Sequence, residues 1–161
     1  MADRVATGVI TRHSARAILL DDDGRLVLIR RTRPGQVPYW TTAGGGVEPG
    51  DASAEAALYR ELQEELGAQA PGARQVLLFS FAGRDGLAVA HFFVARLVHL
   101  DLSTRDGPEF DDPARGAYDP DWIDLLAGGD ALAAIDLRPP EVKEFILANR
   151  EALLAGAGLP G

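Results

Sequence analysis

The order of apolar patterns along the chain predicts an α/β (α+β) fold, and three observations carry that prediction. Residues 14–31 read as two apolar runs joined by a turn, residues 54–66 read as a capped helix, and two further strands precede a C-terminal helical segment. At 161 residues the expectation is a single domain, residues 1–161, long enough to bury a proper core. An apolar fraction of 47% and a charged fraction of 25% are those of an ordinary globular protein.

The first element is a hairpin. Residues 15–20 (ARAILL) lead into Asp21-Asp22-Asp23-Gly24, and residues 25–30 (RLVLIR) return. The acidic triplet lacks the spaced ligands and closing Glu of a calcium loop, so a plain turn is expected. Arg30, Arg31 and Arg33 follow at the end of the second strand, either reaching substrate phosphates or sitting as solvated edge residues. Trp40 precedes a glycine run, and an aromatic there either stacks on a nucleobase or packs beneath the loop. Gly44, Gly45 and Gly46 read as a turn whose backbone can approach a ligand closely.

Next comes the expected helix, Ala54–Leu66. Ser53 is its N-cap and Gly67 its stop. Leu58, Leu62 and Leu66 make an apolar stripe, while Glu61, Glu64 and Glu65 share another face with Ala54 and Ala57. Glu61 and Glu65 repel at i,i+4, at a cost of about 0.2–0.5 kcal/mol. All three acids also lie in the half of the helix whose macrodipole favours cations, and Arg60 is the only cation on it. Hard oxygen ligands beside small alanines suggest a Mg²⁺ or Mn²⁺ site; a solvated Glu-rich face is the plainer alternative.

After the helix, residues 69–74 read as a linker, 76–81 as a strand, 83–86 as its turn and 87–100 as a long return strand. His91 in that strand reads as structural. Residues 101–121 are polar, lack periodicity and carry Glu109, Asp111 and Asp112; a loop of that length is expected to be functional or mobile. A short strand at 122–125, a short helix at 130–135 and a final helix from Pro139-Pro140 to about Leu154 complete the chain.

The stretch from Gly45 to Ala68 resembles the Nudix box, G-x5-E-x7-R-E-U-x-E-E-x-G-U with U a bulky aliphatic. Gly45, Arg60, Glu61, Leu62, Glu64, Glu65 and Gly67 match, and Trp40 and Val47-Glu48-Pro49-Gly50 look like the usual flank. There are departures. The first Glu of the pattern falls on Asp51, eight residues rather than seven then separate it from Arg60, Ala68 replaces the last aliphatic, and Ala43 stands where proline is common. The extra residue is expected in the loop, at Asp51-Ala52.

The resemblance implies a Nudix-type α/β/α sandwich with a mixed β-sheet between helices. It also implies a metal-dependent hydrolase that cleaves the pyrophosphate linkage of a nucleoside diphosphate joined to another group. Gly44, Glu61, Glu64 and Glu65 would hold Mg²⁺ or Mn²⁺; Arg60, Glu61 and Glu64, with Glu109 from the later loop, would be catalytic. Arg60 would pair with Glu64 at i+4 to hold its geometry. Arg31, Trp40, Gly45 and Gly46 are the candidate substrate contacts. The alternative is a non-catalytic Nudix-like module that binds a nucleotide or regulates a partner. Isomerase chemistry on isoprenoid diphosphates is disfavoured, because the chain has no cysteine.

A net charge of −8 argues against a nucleic-acid polymer as partner, though not against a small anionic substrate met by a metal ion. No signal-peptide core opens the sequence and no run approaches the roughly 20 apolar residues of a membrane span. A cytoplasmic protein without membrane contact is therefore expected, and homodimers being common in the family, a homodimer stays open.

Overall fold

The computed structural model describes residues 8–107, 110 and 112–159. In chain order the elements are β1 (Ile10–Leu20), β2 (Arg25–Thr32), β3 (Tyr39–Gly46), α1 (Ala54–Leu66), β4 (Ala68–Gln69), β5 (Arg74–Ala82), β6 (Leu87–Arg96), β7 (His99–Leu100), β8 (Ala117–Asp124), α2 (Asp130–Ala133), α3 (Pro140–Ala148) and α4 (Arg150–Gly156). Six strands form one mixed sheet in the order β5-β6-β1-β3-β2-β8, and β4 pairs with β7 in a separate two-stranded ribbon. β1 and β6 run parallel; the other pairs in the sheet are antiparallel.

Side-chain alternation along β1 creates two cores. Ala15, Ala17 and Leu19 face one way and pack with Leu58, Leu62 and Leu66 of α1. Ile18 and Leu20 face the other way, toward Val142 and Ile146 of α3 and Leu153 and Leu154 of α4. The result is the expected sandwich, a mixed sheet between helical layers.

The helix α1 has the expected bounds for the expected reasons. Ser53 Oγ accepts from the Ala56 amide at 3.0 Å, and Gly67 closes the helix at φ 60° with its amide donating to Gln63 and Leu62 carbonyls. A Cβ at Gly67 would collide with the Asp101 carbonyl oxygen, so the stop position also needs the missing side chain. The leucine stripe is fully buried, each member at 0% exposure. Leu62→Ala is therefore expected to cost about 2–5 kcal/mol. At about 2–4 °C per kcal/mol for a chain of this size, thermal unfolding followed by circular dichroism reads this directly.

Four expectations change. The glycine run is not a turn but the end of β3, with Gly44, Gly45 and Gly46 paired to Arg16, Ala15 and Ser14 of β1. Strand β8 begins at Ala117, well inside the segment expected to be loop, and its Pro120 sits opposite Ile29 on the sheet edge where a missing amide is tolerated. The long return strand ends at Arg96, and residues 99–100 peel off to meet β4, at the start of the expected linker. The final helix breaks at Asn149, whose Nδ2 donates back to the Phe145 carbonyl at 2.8 Å. The acidic triplet is the expected turn: Asp21 Oδ1 accepts from the Asp23 and Arg25 amides, 2.9 Å each.

Candidate active site

Arg60, on α1, is the centre of the acidic cluster. Its Nε and Nη2 donate to the two oxygens of Asp51 at 3.0 and 2.9 Å, a bidentate fork. Nη2 also donates to the Gly46 carbonyl at 3.0 Å. Nη1 donates to Glu61 Oε1 at 2.9 Å and to Glu64 Oε2 at 3.1 Å, and the Glu48 carboxylate stands 3.7 Å away. The expected Arg60–Glu64 pair is present, but Asp51 makes the stronger one. The shorter carboxylate reaches Arg60 from a tight turn in which the Glu48 amide donates to Asp51 Oδ2 at 2.7 Å.

These contacts set the local acidities. The Arg60 guanidinium and then the Glu48 amide hold the Asp51 carboxyl down at about 2. Arg60 is raised, first by its hydrogen bonds to Asp51 and then by Glu61. A carboxyl held below its unfolded value of about 3.9 stabilises the fold fully above that value, and the stability is lost as pH falls through about 2. In that window the unfolded chain binds more protons than the folded one. Urea midpoints taken from neutral to strongly acid pH are expected to fall across this range, and Asp51→Asn is expected to flatten that part of the curve.

β3 explains how α1 tolerates its acids. The Gly44 amide donates to Glu65 Oε1 at 3.1 Å, and Glu65 is buried. A Cβ on Gly45 would collide with Glu61 Oε2, so only glycine lets that carboxylate lie against the strand. Cations and amides then compensate the helix end. Arg105 Nε donates to the Glu65 carbonyl at 2.8 Å, and the Asp106 and Gly107 amides donate to the Glu64 carbonyl at 3.2 Å each. Burial pushes Arg16 down, while Glu65 and Glu61 oppose that shift and favour its charge.

The other expected site residues fall differently. Arg31 is buried, its Nη2 and Nε donating to the carbonyls of Arg115 (2.6 Å) and Ala117 (3.4 Å), its guanidinium 3.6 Å from the centre of the Tyr118 ring. That placement corrects the phosphate-contact expectation: Arg31 pins β8 to β2. Trp40 is the packing alternative, with its indole N–H on Asp121 Oδ2 at 2.8 Å and its ring against the core shared with α3 and α4. Gly44 meets Glu65 and Gly45 lies against Glu61, while Gly46 and Glu64 join them through Arg60. Glu109 lies outside the described residues.

Among the described residues, no three Asp, Glu or His side chains converge as a ready metal cage; Glu61 and Glu64 turn to Arg60 instead. The donor set nevertheless suits a hard divalent cation. It consists of carboxylate oxygens and main-chain groups, with no Cβ intervening between Gly45 and Glu61.

A cavity of about 1010 Å³ opens on the sheet face opposite α1, lined by Arg12, Arg16, Phe79, Phe81, Arg84 and Asp85 among others. Arg16 Nη1 donates to the Thr42 carbonyl at 2.9 Å. Phe79 and Phe81 place their ring centres 5.9 Å apart at 30°. The cavity borders the acidic cluster, because the Arg12 guanidinium approaches Gly46, whose carbonyl Arg60 holds. None of these lining residues is among the candidates read from the sequence. Their only sequence signal is alternation: Arg12, Ser14 and Arg16 share one face of β1, and Phe79 and Phe81 share one face of β5.

A mixed sheet between helices, with a carboxylate-bearing helix locked by arginine to a glycine strand, defines the class. The chain belongs to the NUDIX family: residues 11–138 match the NUDIX domain. CTP pyrophosphohydrolase of Escherichia coli K12 is 46% identical over 55 residues, which cover 34% of this chain and 40% of that protein. The match therefore spans less than half the length of that curated relative. Among solved structures, the NUDIX hydrolase from Nitrosomonas europaea superposes with a TM-score of 0.64 at 19% identity, covering 92% of each chain. The E. coli ORF135 protein superposes at 0.60 with 25% identity, covering 89% of this chain and 94% of the other. Among the described residues no helix is long and apolar enough to cross a membrane.

Proposed function

We propose that this chain is a Mg²⁺- or Mn²⁺-dependent pyrophosphohydrolase, a single domain acting on a nucleoside diphosphate joined to another group. The observation that carries the reading is the Arg60 cluster bordering an arginine-lined cavity: carboxylates for a cation on one side, guanidiniums and aromatic rings for an anionic nucleotide on the other. The match to a CTP pyrophosphohydrolase points to the same reaction class.

Glu61, Glu64 and Glu65, with the Gly44 carbonyl, are the residues that would hold the cation. When bound, such an ion draws charge from phosphoryl oxygens and acidifies water. Arg12 and Arg16 line the cavity and would neutralise phosphate charge, and Phe79 and Phe81 of the same lining would stack on the nucleobase. Arg60, forked onto Asp51, fixes the rotamers of Glu61 and Glu64. The proton of the attacking water goes to a carboxylate. Glu64 is the best placed, with a side chain 29% exposed against 14% for Glu61, and with Oε1 outside its Arg60 contact.

The test is phosphate or pyrophosphate release from nucleoside triphosphates, ADP-sugars, dinucleoside polyphosphates and dinucleotide cofactors, with Mg²⁺, Mn²⁺ and EDTA in parallel. Turnover of one class, abolished by EDTA, is expected. Because Arg60 engages both Glu61 and Glu64, a nucleotide-binding module without turnover is the second reading. Saturable nucleotide binding with no release under any metal would favour it.

A further inference from the structure

We propose that His13 and His91 form a second cation site, selective for a borderline-soft divalent ion such as Zn²⁺ and separate from the carboxylate cluster of α1. The residues are diagonal neighbours on the parallel strands β1 and β6, where Ala15 pairs with His91 and His13 with Val89. By alternation both side chains lie on the sheet face that α1 covers further along, beside Ala15 and Phe93. His13 is exposed and His91 half-buried, so solvent reaches the pair.

The separation is the central observation. His13 Nδ1 and His91 Nε2 stand 3.1 Å apart, with ring centres 5.3 Å apart at 26°. Two nitrogens bound at about 2.0–2.1 Å to one tetrahedral ion lie roughly 3.3 Å apart. A turn of each ring about its Cβ–Cγ bond therefore aims both lone pairs at one ion without moving the strands, and waters complete the shell. In the metal-free chain the two nitrogens share a hydrogen bond.

A supporting group sits behind the pair. Gln75 Nε2 lies 3.3 Å from His91 Nδ1. Flipping the carboxamide presents its oxygen to an Nδ1–H, which fixes the tautomer that leaves Nε2 free to bind metal. Burial and the neighbouring His13 push His91 down, which favours the neutral form that ligates. Imidazole prefers Zn²⁺, Cu²⁺ and Ni²⁺ over Mg²⁺, so the two sites sort ions by chemistry. With no cysteine in the chain, no thiolate competes.

The experiment is a Zn²⁺ titration of the untagged full chain by calorimetry with excess Mg²⁺ present, alongside imidazole NMR signals. One equivalent of Zn²⁺ is expected to bind, shifting the signals of His13 and His91 but not His99. His13→Ala and His91→Asn are each expected to abolish that binding in a folded protein. Gln75→Ala is expected to weaken it about tenfold, as loss of a supporting partner does, and Glu61→Gln to leave it unchanged. Absence of Zn²⁺ binding overturns the proposal, as does binding that survives His91→Asn or disappears in Glu61→Gln.

Discussion

Glu64→Gln is expected to lower kcat by about 10²–10⁴, the range that removal of a positioned proton acceptor costs. KM should change little. The substitution keeps the side chain's length and volume, and Arg60 retains Asp51, Glu61 and the Gly46 carbonyl as partners. The fold should therefore be untouched, and far-UV circular dichroism with a urea curve checks that. The same change removes one hard anionic oxygen from the set that would hold the cation, so the Mg²⁺ concentration needed for half-maximal rate should rise as well. A Glu64→Gln variant with the parent's kcat would place both roles on other carboxylates and sink the reading of Glu64.

How far the sequence reveals this protein depends on what each residue answers to. The bounds of α1 are legible because Ser53 and Gly67 act locally, through a side-chain cap and a left-handed stop. The hairpin around Asp21 is legible for the same reason. The glycines of β3 are not. Three consecutive glycines have poor strand propensity, and they are held extended by pairing with Ser14, Ala15 and Arg16 of β1, a contact no local pattern encodes. Strand β8 is hidden similarly, since its Asp and Pro residues read as loop and only its place at the sheet edge makes them admissible.

The candidate site divides along the same line. The acids of α1 can be read from helical spacing and from the resemblance to a box that keeps them in one segment. The cavity cannot, because Arg12 and Arg16 come from β1, Phe79 and Phe81 from β5, and Arg84 and Asp85 from the turn after it. Arg31 shows the converse hazard. A strand-end arginine looks available to phosphate, but the carbonyls of Arg115 and Ala117 and the Tyr118 ring occupy it. The shift of one residue around Asp51 looks, in one dimension, like damage to the box. In three dimensions Asp51 still reaches Arg60 and holds it in a bidentate fork.

Two adjacent glycines offer a test that separates scaffold from chemistry. Gly44 has φ 142°, and a Cβ there would collide with the Ala15 carbonyl oxygen, a backbone atom of the paired strand. Relief requires moving β1 or β3. Gly44→Ala is therefore expected to cost about 2–5 kcal/mol from strain and overpacking together, and to lower Tm by roughly 10 °C at this chain length. Gly45 is different: the atoms in the way belong to the end of the Glu61 side chain. A flexible carboxylate can swing aside, so Gly45→Ala should leave Tm close to the parent's. The swing pulls Glu61 from its 2.9 Å contact with Arg60, and displacement of about 1 Å in such a group costs roughly 10² in rate. The pair should thus split, one variant losing stability and the other activity. Equal loss of stability in both would mean that Glu61 is fixed as firmly as backbone, and equal retention of activity would mean that its position against β3 does not matter to turnover.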